Sequence, residues 1–154
     1  MKTKKEKSRF ETFKEKLLND AKLQDACSEQ FERAENAENE RDLLEVIRDN
    51  MSWCYRTAKI ITIEDLNSFG TELLNASGIY ITGHHELKGS DIGAALGNAT
   101  VKAWGNATVE AWGNAYVLCF NDIKKHSQDE KAILKDYYSS KIYIKKGSHE
   151  IVEI

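Results

Sequence analysis

The sequence predicts an α+β fold, in which an N-terminal helical region caps a short β-solenoid of octapeptide repeats and a β-hairpin closes the C-terminus. Three observations carry the prediction. Residues 97–120 read GNATVKAW, GNATVEAW, GNAYVLCF, one eight-residue phrase written three times. Residues before 78 hold apolar side chains three or four apart, the spacing of helices. Residues 141–154 alternate apolar and polar around Gly147 and Ser148, the pattern of a hairpin. The divisions fall at 1–78 for the helical region, 79–125 for a strand and the repeats, and 126–154 for a helix and hairpin cap.

The helices come first. Ser8 and Glu11 match a capping box in front of a periodic run. Phe10, Phe13, Leu17 and Ala21 then form one stripe. A polar helical continuation follows, with a break expected at 36–39, and the stripe resumes as Leu43, Ile47, Met51 and Cys54. Thr62 is placed to cap a short helix that Gly70 ends, and Thr71 to cap another that Gly78 ends. Residues 78–82, GIYIT, have strand character. The stretch SQDEKAILKDYY further on reads as a helix.

The repeat cannot be a helix, because Gly-Asn every eighth residue would break it each time. Eight is even, so a strand keeps its parity from copy to copy. One parity carries Ala99, Val101, Ala103, Ala107, Val109, Ala111, Ala115, Val117 and Cys119, and the other carries Asn, Thr, a variable residue and an aromatic. Small apolar side chains suit a narrow interior, so Trp104, Trp112 and Phe120 are expected outside. Two octads per coil give a two-sided solenoid and three give a triangular one. A meander of hairpins is the remaining alternative. Neighbouring coils bury each other's faces. So short a stack would need its ends covered.

Composition bounds the function. The 154 residues suit one domain with an extension, and 41% apolar content supports a core. A net charge of -3 is mild and argues neither for general nucleic-acid binding nor for an acidic decoy, and direct nucleic-acid binding is not expected. Three cysteines at unpatterned spacing do not read as a disulfide framework. No apolar stretch reaches membrane-spanning length and no signal peptide is visible, so a cytoplasmic protein is expected.

The octad, with the phrases DNMSWCYRTAKIIT and LNASGIYIT, resembles a group of uncharacterised small repeat proteins of gut Bacteroidota and of their phages and mobile elements. Those proteins carry strings of the GNATVxAW type. The resemblance covers most of the chain. It implies a phage-like setting and no particular activity.

Candidate chemistry is sparse. Phosphate-binding glycine loops, nucleophile elbows, His-Glu-x-x-His and Cys-x-x-Cys are all missing from the sequence. His84, His85 and Glu86 are the one cluster of metal-type ligands, but neighbours on a strand point apart, so no metal and no cofactor is expected. The basic start (Lys2, Lys4, Lys5, Lys7, Arg9) reads as a solubilising terminus. The expected function is non-enzymatic: binding of a protein partner through Trp104, Trp112, Tyr116, Phe120, Lys102 and Glu110, with the helical surface contributing. In the phage-like setting, that partner would be a host defence factor such as a CRISPR nuclease, or its nucleoprotein complex, inhibited by binding. The alternatives are a self-assembling structural repeat, which would be a homo-oligomer, and a small enzyme on a β-helix scaffold.

Overall fold

A computed structural model describes residues 7–154, and the side chains of all of these except 125–128. Lys2, Lys4 and Lys5 of the basic start lie outside the described residues. The chain divides into two compact units between Leu73 and Leu74.

The first unit is helical. Helix α1 (Arg9–Leu23) starts at the expected capping box: Ser8 Oγ accepts from the Glu11 amide, and the Glu11 carboxylate accepts from the Ser8 amide. Lys7 also pairs with Glu15 near this end. The helix stops earlier than the sequence suggests, because Asp25 takes a positive φ of 54°. Helix α2 (Ser28–Glu35) follows, then the expected break, then α3 (Glu40–Asp49), whose Asn39 cap accepts from the Asp42 amide. Lys14 reaches from α1 to the end of α2, donating to the carbonyls of Glu35 and Ala37 at 2.6 and 2.8 Å. This supplies partners to carbonyls that a helix end leaves bare. Leu43, Ile47, Met51 and Cys54, the expected stripe, are all buried. The chain continues after α3 as a π-helix (Ser52–Thr57) rather than an α-helix. Helix α4 (Ile63–Asn67) has the expected cap at Thr62, completed into a box by Asp65. Thr71 opens α5 (Thr71–Ala76).

The second unit is a two-sided β-solenoid. Its strands are β1 (Ile79–Tyr80), β2 (His84–Leu87), β3 (Ile92–Ala95), β4 (Thr100–Ala103), β5 (Thr108–Ala111), β6 (Tyr116–Cys119), β7 (Lys124–Gln128), β8 (Ile133–Asp136) and β9 (Lys141–Ile144). They alternate between a four-stranded sheet, β1-β3-β5-β7, and a five-stranded one, β2-β4-β6-β8-β9. Pairing is parallel except for β8 with β9. Thr100 pairs with Tyr116 and Thr108 with Lys124, so two octads make one coil. The even period keeps parity as predicted: Val101, Val109, Val117 and the Ala of each copy point inward and are fully buried.

Each corner is a tight turn. The amides of Ala99, Ala107 and Ala115 donate to Leu96, Trp104 and Trp112 three residues back, across a glycine at positive φ. The asparagine amides donate to the coil before: Asn106 to Gly89 and Asn114 to Gly97. The asparagine side chains also stack, Asn114 Nδ2 donating to Asn98 Oδ1 at 3.3 Å.

The C-terminal region departs from the sequence reading in two ways. SQDEKAILKDYY forms no helix. Its residues complete β7, turn and form β8. The hairpin exists, but between β8 and β9 across 137–140, and residues 150–154 take no strand pairing. Asp136 explains the turn. It is 2% exposed, and its carboxylate accepts from the amides of Tyr138 and Ser139 and from the Ser139 hydroxyl. Asp136→Ala should therefore cost about 2–3 kcal/mol, the scale of buried hydrogen bonds to a charged group. Urea denaturation of the two proteins measures it, with Asp136→Asn expected to lose less.

Candidate binding face

Alternate copies of the octad face opposite ways, because two octads complete a coil. The structure therefore separates the residues that the sequence groups together. Lys102, Trp104, Tyr116 and Phe120 belong to the five-stranded sheet and its corner. Glu110 and Trp112 belong to the four-stranded sheet. Trp112 is fully buried, and its indole nitrogen has no hydrogen-bond partner among the described residues. The expectation of a single exposed aromatic face across all three copies is thus corrected. Trp112 cannot offer its ring to a partner while it stays buried.

The five-stranded sheet does carry a face. Its registers align two outward columns. One runs His84, Thr100, Tyr116, Ile133 and Ile144, and the other Glu86, Lys102, Leu118, Lys135 and Ile142. Polar residues occupy the first coils, and the last strands are apolar except for Lys135. Tyr116, Leu118, Ile133 and Ile144 are half-buried, and Ile142 is 63% exposed. Sequence reading missed Ile133, Ile142 and Ile144 because they lie outside the octads, and Leu118 because it stands at the variable position of the third copy. The parity signal does not run on unbroken: Tyr116 pairs with Ile133, seventeen residues along, so the outward positions change from even to odd before β8.

The corner beside this face holds an aromatic row. Trp104 stacks on Phe120 at 4.9 Å and Phe120 on Tyr137 at 5.0 Å, with planes within 11° and 6° of parallel. Such contacts add about 0.5–1.5 kcal/mol each beyond burial. Lys88 sits 5.9 Å over Trp104 at one end, and Lys135 4.7 Å over Tyr137 at the other. Its hydrogen bond with Tyr137, and then the charge on that phenol, hold the Lys135 ammonium above its ordinary range. The ring faces are spent on each other, so the row offers edges to a partner. Glu86 pairs with Lys88 at 3.0 Å.

His84, His85, Glu86, Thr100 and Lys102 line a shallow pocket of about 340 Å³ at the other end of the sheet. His85 stacks on Tyr80 at 4.3 Å, while His84 is on the outward parity. Among the described residues, no group of three His, Cys, Asp or Glu is placed to hold a metal ion. No described helix is long and apolar enough to cross a membrane.

The helical unit has a cavity of about 360 Å³, lined by residues including Leu17, Ala21, Phe31, Trp53, Cys27 and Cys54. Burial pushes the Cys54 thiol up to about 12, whereas Cys27 is exposed. At pH 8 the thiolate is the reactive form. Cys27 should therefore be the one thiol that modifies quickly with iodoacetamide, and Cys54 should react only after denaturation. Peptide mapping checks this.

No family model, curated protein or solved structure matches the chain.

Proposed function

We propose that the chain is a non-enzymatic protein-binding module, and that the outward face of its five-stranded sheet is the contact surface. One observation carries the reading. Tyr116, Leu118, Ile133, Ile142 and Ile144 share the outward side of three adjacent strands, with Lys135 between Leu118 and Ile142, Lys102 on the strand before and the aromatic row at the corner. Apolar centres with aromatic and polar surrounds are the anatomy of interface hot spots. The resemblance of the octad to phage and mobile-element proteins supports a host defence factor, such as a CRISPR nuclease or its nucleoprotein complex, as the partner to be inhibited. A protein working inside the host cell would be cytoplasmic.

The test is a pair of charge insertions, Leu118→Glu and Ile142→Glu, in the whole chain. Both side chains point away from the core, so melting should move by no more than about 2–4 °C. Retention of the partner identified with the wild-type chain as bait should fall by about a hundredfold in the double variant. Unchanged retention would refute the face. Light scattering of the chain alone separates hetero-association, with a monomer expected, from the self-assembling alternative.

A further inference from the structure

We infer that the open edge of β9 accepts an extended acidic segment of the partner as an added strand. This rests on the protein-binding reading and names the chemistry that would be recognised. Strand β9 ends the five-stranded sheet, so among the described residues it has one strand neighbour, β8. The residues after it turn away: the Ser148 amide donates to Lys145, and 149–154 join no strand. A strand with one open side presents a row of backbone donors and acceptors to any extended chain.

Charge decides which chain. Along β9 and its continuation, Lys141, Tyr143 and Lys145 share one parity, and Ile142 and Ile144 share the other. A strand with alternating carboxylates and apolar residues complements both. Its carboxylates lie beside Lys141 and Lys145, and its apolar side chains extend the patch at Ile142 and Ile144. Lys145 already binds the buried Asp129 at 2.7 Å and keeps its own side chain half-exposed. The same lysines oppose self-pairing. Antiparallel pairing of two copies centred on Tyr143 sets Lys141 opposite Lys145 at both ends, and like charges directly opposite destabilise a ladder. The chain's own Glu150 and Glu153 lie in a segment of similar composition, with Ile151 82% and Val152 69% exposed, and that segment stays off the edge.

The probe is the peptide acetyl-Glu-Val-Glu-Thr-Glu-Val-Glu-amide, titrated into the isotope-labelled full chain and followed by amide chemical shifts. Shifts should centre on residues 141–144. Affinity should fall about tenfold for each of three changes: Lys in place of every Glu in the peptide, N-methylation of alternate peptide amides, and Lys141→Glu in the protein. Lys141 is exposed, so that variant should fold normally, as circular dichroism would verify. Equal binding of the N-methylated peptide would reduce the contact to ion pairing and overturn strand addition. No binding of the acidic peptide, or tighter binding of oligo-deoxythymidine to the same residues, would also overturn it. If the peptide fails while Leu118→Glu with Ile142→Glu still abolishes partner retention, this inference alone falls. If partner retention survives those substitutions, the underlying reading falls.

Discussion

Val117→Asp is expected to leave no folded solenoid at room temperature. Val117 is fully buried between Val101 and Leu134, its register neighbours in the coils before and after. Around it are alanines and Cys119, which offer no polar partner to a carboxylate. An unpaired charge there costs at least about 4 kcal/mol, against total stabilities of about 5–15 kcal/mol for whole domains. Lys102→Asp, on the opposite parity of the adjacent strand, should cost less than about 0.5 kcal/mol. Circular dichroism with urea denaturation gives both numbers. The contrast matters more than either value, since a chain with the other parity would reverse it.

The second large effect is expected at Gly97. Its φ is +55°, a region costly for residues with a Cβ. An added methyl would also lie 2.7 Å from the Ile81 carbonyl oxygen. That oxygen cannot retreat freely, because it accepts from the Asn98 amide at 2.9 Å, a bond joining successive turns. Strain and the disturbed bond together should cost about 3 kcal/mol in Gly97→Ala. Gly147 is the control: its φ is +79° but nothing lies within 4 Å of an added Cβ. Gly147→Ala should cost about 1 kcal/mol. A Gly97 variant no worse than the Gly147 variant would mean that the turns do not stack as described.

Much of the fold was legible because it is written in local chemistry. Ser8 with Glu11 and Thr62 each marked a helix start, and the even period fixed which side chains enter the solenoid. The last coil was hidden by a single inserted residue. Tyr116 pairs with Ile133 rather than with the residue sixteen along. One extra residue would turn every later side chain inside out. A bulge opposite Glu110 and Ala111 absorbs it, so Ala132, Leu134 and Asp136 return to the interior. Glu130, at φ 54°, stands where earlier corners have glycine, and Asp129 accepts its amide. Without the glycine the corner was unrecognisable, and the stretch read as helix.

The binding face was half legible for a related reason. Periodicity told which residues point outward, but not how many octads close a coil. That number decides whether successive aromatics share a side. With two octads per coil, Trp104 and Phe120 align and Trp112 goes to the other sheet. The apolar patch then draws on β8 and β9, which no octad announces.

The two-sided coil is the claim on which the face, the aromatic row and the β9 edge all depend. Amide-to-amide and amide-to-α-proton Overhauser contacts, recorded on the isotope-labelled chain, test it most directly. The expected pattern links Thr100 with Tyr116, Lys102 with Leu118 and Ile92 with Thr108, each sixteen residues apart. Contacts from Thr100 to Lys124 would mean a three-sided coil, and antiparallel contacts between 100–103 and 108–111 would mean a meander. Either pattern would contradict the architecture and dissolve the proposed face.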